Sequence, residues 1–414
     1  MSYSSSKLIN SSTCIQWMWQ SNLNSLDRSK SGSWNYYSDV ENLMIEEAFQ
    51  TAELQIVFDN YYIDFKLNIQ VMKTDVTKQN PVKRIVSNGE YTASRQSHYT
   101  CDAISREHSF GGQYGWIPPF IKEVRKHLKL QKNQLPSRDS SVVSTIVEKA
   151  AMGIIEEGKK VGQLNLAKWM AKQLIERKDK DAKEVWKCCA HLYSLESFLY
   201  KTLNETMRLV GVNQHEEIWR SKVRTLGPFC LLLWDDPITK KATTAAEKIT
   251  VYRGAKLTPT QIDSYRDICQ RPEKYGSFQA FTSASRQRNI DDHCPDWNVL
   301  FIMEIAFAFT ANIRQYSAFP DEEEELIFPG VCFTVERMDF DEIKQQHLIY
   351  LKLRQRFNKS SLHEISTNQQ QILFDSDTDR QAFYAARRTS IAAATIDTGH
   401  LDRSIYVRDY NIDE

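Results

Sequence analysis

Phe319-Pro320-Asp321-Glu322-Glu323-Glu324-Glu325-Leu326-Ile327-Phe328-Pro329-Gly330 is the stretch on which the reading of this chain turns. An acidic run is ordinarily a solvated loop. Here it feeds straight into an apolar strand, Leu326-Ile327-Phe328. If the extended backbone begins within the run, alternation places Glu323 and Glu325 on one face and Glu322 and Glu324 on the other. Carboxylates that close repel and raise the pKa of at least one of them. Such arrangements concentrate where charge does chemistry.

Two upstream pieces share this character of short polar groups on apolar strands. In Phe278-Gln279-Ala280-Phe281-Thr282-Ser283-Ala284-Ser285, the hydroxyls of Ser283 and Ser285 share one face of an extended segment. They can bond a ribose or a carboxylate without filling a cleft. Ile249-Thr250-Val251-Tyr252-Arg253 is an apolar strand closed by an arginine and followed by Gly254. A guanidinium there can present its paired donors to a phosphate. Taken singly, each piece reads more readily as a solvated strand end or a polar strand face.

Further β-like runs, Asn298–Phe309, Glu324–Met338 and His347–Leu353, surround these pieces. Ahead of them, residues 141 to about 209 carry a helical pattern, with Val185, Cys189, Leu192, Leu195, Leu199 and Leu203 on one face. A helical block followed by strands predicts an α+β fold rather than alternating βαβ units. Residues 12–87 form a separate aromatic-rich unit with short strands and one helix, Asp39–Gln50, capped by Ser38 or Asp39. Residues 88–140, punctuated by Gly, Pro and Ser, read as a linker. Residues 356–414 read as a polar tail with one helix around Arg380 to Ile391. No internal repeat is visible.

The 414 residues suit two or three domains. Lys plus Arg and Asp plus Glu balance at 53 each, so no global field draws the chain onto nucleic acid or an anionic membrane. The eight cysteines show no C-x-x-C pair and the nine histidines no ligand spacing, so no metal site is expected. Reduced thiols, the lack of an apolar leader at the first residues and the short Val299–Phe309 run predict an intracellular, cytoplasmic protein that does not enter a membrane.

The ordered set Arg253, Ser283-x-Ser285 and a Glu-x-Glu leading into an apolar strand resembles the R-S-E class of mono-ADP-ribosyltransferases. The resemblance covers residues 141–355. One departure is Ser-Ala-Ser in place of the more common Ser-Thr-Ser. It implies a helical subdomain and two small β-sheets around an NAD cleft, and an NAD(P)+–protein-arginine ADP-ribosyltransferase activity with NAD as co-substrate. Arg253 and Gly254 would meet the NAD phosphates or adjoining ribose, and Ser283 and Ser285 the nicotinamide-side ribose. Glu325 would stabilise the cation left as nicotinamide departs, and Glu323 would orient the acceptor guanidinium, with Tyr316 and Phe319 as stacking faces. Arginine-containing target proteins are the implied partners. An NAD glycohydrolase, a non-catalytic ADP-ribose-binding scaffold and a pure interaction adaptor are the alternatives.

Trp17-Met18-Trp19, Trp34-Asn35-Tyr36-Tyr37 and Ile45-Glu46-Glu47-Ala48-Phe49 resemble a WWE domain, a small half-barrel packed on a helix. Many such domains bind the ADP-ribose unit of poly-ADP-ribose, and others bind protein. Tyr37 and Tyr61 would supply faces for adenine, Gln70 a polar edge, and Lys83 and Arg84 a basic patch for pyrophosphate. Asn80 stands where ligand-binding members tend to carry a basic residue. ADP-ribosylated proteins, poly-ADP-ribose or another protein are the expected partners. A tethered reader of this kind predicts that removing residues 1–95 changes target choice yet spares activity on a free arginine analogue.

Overall fold

The computed structural model describes residues 14–21, 33–87, 118–131, 134–211, 213–238, 249–271, 276–288 and 297–354. The polar tail and its expected helix, and residues 88–117 of the expected linker, lie outside the described residues.

The N-terminal unit is a six-stranded antiparallel sheet built from β1 (Cys14–Gln20), β2 (Trp34–Tyr36), β3 (Gln55–Val57), β4 (Tyr61–Asp64), β5 (Ile69–Met72) and β6 (Asp75–Ser87). The strand order is β2-β1-β6-β5-β4-β3. Helix α1 (Asp39–Gln50) lies where its periodicity places it. Ser38 and Glu41 form a reciprocal capping box, and Asp39 and Glu41 add negative charge at the helix start. Val40, Ile45 and Ala48 turn inward toward Trp17, Phe58 and Ile63. The Trp17 indole N–H and the Arg84 guanidinium both donate to the Glu46 carboxylate, so α1 is tied to β1 and β6 by one buried acid.

The span read as a linker contains α2 (Pro119–His127). Its Phe120, Ile121 and Val124 are fully buried. The Pro118-Pro119 pair, which reads as linker punctuation, instead sits at the start of the helix, where a missing N–H costs nothing.

Six further helices follow: α3 (Val143–Lys160), α4 (Leu164–Ile175), α5 (Ala182–Ser194), α6 (Phe198–Leu209), α7 (Glu216–Val223) and α8 (Gly227–Trp234). The helical block therefore extends beyond residue 209. The apolar face drawn through Val185 and Leu203 belongs to two helices, separated at Leu195-Glu196-Ser197, where Ser197 caps α6. One continuous apolar cluster joins these helices to Trp17, Tyr37, Val40, Ile45, Phe58 and Ile63 of the N-terminal unit. The two units are docked, not strung on a tether.

The remaining strands are β7 (Ile249–Ala255), β8 (Gly276–Ser277), β9 (Thr282–Ser285), β10 (Val299–Phe307), β11 (Thr310–Asn312), β12 (Glu324–Ile327), β13 (Cys332–Asp341) and β14 (Gln346–Arg354), with α9 (Pro259–Gln270) between β7 and β8. Their order is β11-β12-β9-β7-β10-β14-β13-β8, all antiparallel except β10 with β14. The β11-β12-β9 group meets the other five through a single residue pair, Tyr252 with Ser285. Two small sheets thus share one narrow seam, and the chain is α+β as its pattern of helices before strands requires.

Candidate active site

The seam gathers the three polar strand pieces. Tyr252, beside Arg253, pairs with Ser285, and β9 pairs in turn with β12. Arg253 is buried, and its guanidinium donates to the Ser283 carbonyl. Ser283 is itself 2% exposed, yet its hydroxyl has no hydrogen-bond partner. A buried hydroxyl left unpaired costs free energy, and sites that bind polar ligands keep such groups in readiness. Ser285 is fully engaged: its hydroxyl donates to the Glu322 carbonyl at 2.7 Å and accepts from the Gln287 N–H at 2.9 Å.

The register of β9 on β12 sorts the acids. Glu324 lies opposite Ser285, Glu325 opposite Ala284, and Leu326 opposite Ser283. Directly opposed residues of an antiparallel pair project to the same side. Ser283, Ser285 and Glu324 therefore share one face, while Glu325 projects from the other. Both acids are buried, at 0% and 3% exposure. Glu325 accepts from the Thr310 hydroxyl at 2.6 Å and from the Arg286 guanidinium at 2.7 and 3.1 Å. Glu324 accepts from the Ser317 hydroxyl at 3.1 Å. The buried Tyr193 hydroxyl feels both Glu324 and Arg253; burial, then the Asn204 hydrogen bond against it, sets a pKa pushed well above the usual phenol value.

The alternation expected for the acidic run holds only from Glu324 onward. Pro320–Glu322 form a 3-10 turn and Glu323 caps it with a left-handed backbone (φ 47°), so the strand begins one residue later than the expected pairing of Glu323 with Glu325 requires. The Glu323 carboxylate is bound to Arg314 at 2.7 Å. Glu324, expected on the face away from Glu323 and Glu325, is the acid that lies across from Ser285. The apolar pattern offered no phase to correct it, because Leu326 joins the core on the helical side and Ile327 the core on the other. A strand buried on both faces shows no polar alternation.

Other expected residues take different places. Gly254 faces the Trp297 ring so closely that a Cβ would lie 1.7 Å from it, which makes packing rather than ligand approach its evident constraint. Phe319 is buried, and Tyr316 sets its ring edge-on to Trp186, with Lys187 over its face at 5.6 Å. Both behave as packed loop aromatics. His191 and Ser194 hold that loop from behind: the His191 Nδ1 lies 3.1 Å from the Tyr316 carbonyl, and the Ala318 N–H donates to Ser194 Oγ at 2.9 Å.

In the N-terminal unit, each expected ADP-ribose residue has an internal partner. Tyr37 donates to Gln70 at 2.7 Å and Tyr61 to Glu41 at 2.7 Å. Arg84 is held by Glu46, and the Lys83 ammonium lies 3.9 Å from the centre of the Trp34 ring. Burial, with Glu41 beside them, raises the pKa of both tyrosines.

Among the described residues no group of three His, Cys, Asp or Glu side chains could hold a metal ion, and no helix is long and apolar enough to cross a membrane. Five cysteines, at 188, 189, 230, 269 and 332, are free thiols.

Residues 159–361 match the family model described as NAD:arginine ADP-ribosyltransferase, and residues 15–84 match that of the WWE domain. No curated protein matches the sequence. Solved structures similar to the chain include the ADP-ribosyltransferase HopU1 of Pseudomonas syringae pv. Tomato DC3000 (14% identity, 58% of this chain and 99% of that one, TM-score 0.33). The Clostridium limosum C3 exoenzyme (16% identity, 48% and 94%, TM-score 0.30) and the type III effector XopAI from Xanthomonas axonopodis pv. citri (14% identity, 61% and 99%, TM-score 0.35) are also similar. At such scores, residue roles rest on the chain's own geometry. The chain joins an N-terminal WWE domain to a domain of the ADP-ribosyltransferase family, whose substrate is NAD.

Proposed function

We propose that the chain transfers ADP-ribose from NAD to arginine side chains of target proteins, releasing nicotinamide. The observation that carries this reading is the shared face of Ser283, Ser285 and buried Glu324, beside the arginine strand. The bond from the ribose anomeric carbon to the nicotinamide nitrogen breaks, and its electron pair leaves with nicotinamide. The oxocarbenium-like cation that remains calls for a fixed carboxylate, as in glycoside cleavage. Glu324 supplies it in this reading, in place of Glu325. A guanidinium nitrogen then closes on the same carbon and gives up a proton. Because arginine holds its proton to beyond about pH 12, a carboxylate must orient the group and take that proton.

With Glu324 brought forward, the Glu-x-Glu step becomes Glu322 and Glu324, and Glu322 is the acceptor-side acid. Its carbonyl is already pinned to the serine strand by Ser285. Arg253 would engage the NAD phosphates, and Ser283, buried with an unused hydroxyl, the nicotinamide ribose. The residues suit NAD on that ground: the available hydroxyl of Ser283 and a guanidinium that donates to the same serine's carbonyl lie on adjoining strands.

Incubating the full chain with NAD labelled in its adenylate half, together with a mixed protein substrate, tests the reading. Label mapped to arginine side chains is the expected result. Free ADP-ribose with no labelled protein would mean water is the acceptor, and label on another side chain would overturn the arginine assignment.

A further inference from the structure

We propose that Asp39, at the first turn of the WWE helix, is a positioning residue for the NAD-cleaving site, acting through the loop 316–318 that holds Glu324 and through the approach to Ser283. The proposal rests on the transferase reading above and adds a part to it from the other domain.

The path is a run of hydrogen bonds. The Asp39 carboxylate accepts from the Glu196 backbone N–H at 2.7 Å, across the domain boundary. Glu196 is the middle of the three-residue break between α5 and α6, where three successive backbone groups belong to neither helix. The last turn of α5, immediately before that break, makes the contacts behind the active-site loop. Ser194 Oγ accepts from the Ala318 N–H at 2.9 Å, and His191 meets the Tyr316 carbonyl at 3.1 Å. Between them, Ser317 donates to Glu324 at 3.1 Å. On the same turn the Tyr193 hydroxyl donates to the Phe281 carbonyl at 3.3 Å, at the head of the serine strand. One short connector is thus fixed on one side by the WWE helix and on the other fixes both the loop 316–318 and the approach to Ser283.

Asp39 is 6% exposed, so its bond to Glu196 works away from competing water and is correspondingly directional. Among the described residues the domains are also joined by Glu47, with the Trp169 indole at 2.8 Å and the Lys172 ammonium at 3.7 Å, and by Asp59 with the Asn165 N–H at 3.1 Å. Those bonds grip α4, at a distance from the connector in sequence. Removing Asp39 therefore takes away the WWE helix's bond to the connector while the other docking contacts and the shared apolar core remain.

The test uses the full chain with Asp39→Ala and Asp39→Asn, the latter retaining an oxygen acceptor for Glu196. Hydrolysis of NAD in the absence of an acceptor and transfer to a small guanidino compound such as agmatine are measured separately. Amide hydrogen exchange over residues 313–319 is followed in parallel. Asp39→Ala should lower the rate constants for NAD hydrolysis and for transfer at least severalfold while the urea unfolding midpoint stays near wild type, and speed exchange across 313–319. Asp39→Asn should restore most of each effect. Unchanged rate constants and unchanged exchange in Asp39→Ala would overturn the proposal. So would a loss of hydrolysis and transfer in equal measure that follows a loss of folded protein. A wild-type chain that does not cleave NAD would defeat the transferase reading instead, and the exchange measurement would still decide whether Asp39 orders the loop.

Discussion

Glu324 stands directly across the sheet from Ser285, while its neighbour Glu325 stands across from Ala284. Two adjacent buried acids are therefore committed to opposite faces, one toward the serines and one into a bonded pair with Arg286 and Thr310. In the proposed mechanism that distinction separates the acid that meets the substrate from the acid that braces the strand.

Ser283→Ala removes a hydroxyl with no partner in the structure. The folded protein loses no hydrogen bond, so stability should change by less than about 1 kcal/mol. Transfer should fall by about tenfold to a hundredfold, as when one preorganised polar contact to a reacting group is lost. Urea unfolding and initial-rate assays on the same preparation check both statements.

Gly254→Ala should destabilise the chain by about 1–3 kcal/mol, the usual cost of forcing extra atoms into a packed site. The added methyl meets the Trp297 ring, not a flexible side-chain end. A lowered unfolding midpoint is expected, and one equal to wild type would show that Trp297 can move aside.

Arg84→Ala should act on folding. The guanidinium is bidentate on Glu46, which also accepts from Trp17, and removing it leaves a largely buried carboxylate short of a partner. A loss of about 1–2 kcal/mol is expected, less than for a fully buried pair because the arginine is partly exposed. If Arg84 serves chiefly to bind pyrophosphate, the variant will melt like wild type.

His191 gives the fold a dependence on pH. Burial lowers its pKa, the bond to the Tyr316 carbonyl opposes that and Arg177 adds to it, with a net lowering. The unfolded chain then binds a proton more readily than the folded one below the ordinary value of about 6.5. The contribution of neutral His191 is whole above that value and shrinks as pH falls toward the lower folded pKa. Urea midpoints measured from pH 7.5 to 5 should decline more steeply in the wild type than in His191→Gln. Parallel curves would assign the decline to other groups, His347 among them.

Much of this architecture was legible from residue order alone. Helix α1 and its Ser38 cap, the strands around Arg253 and Ser283, and their sequence before an acidic step all follow local pattern. The phase of β12 did not, because a side-chain period of two turns a one-residue shift into a change of face, and Glu323's left-handed cap sets where that period starts. Helix α2 was hidden by the Pro118-Pro119 pair that begins it. The docking of the WWE domain on α4 and on the connector before α6 involves Asp39, Glu47 and Asp59, whose partners lie more than a hundred residues away. No local window contains that information.

The most direct measurement compares Glu324→Gln with Glu325→Gln in transfer from labelled NAD, with NAD affinity and unfolding recorded for each. Glu324→Gln should lose transfer by about a hundredfold or more while still binding NAD, and Glu325→Gln should keep transfer within about tenfold yet unfold more easily. The opposite outcome, with Glu325→Gln inactive but stable and Glu324→Gln active, would contradict the assignment of the chemistry to the serine face.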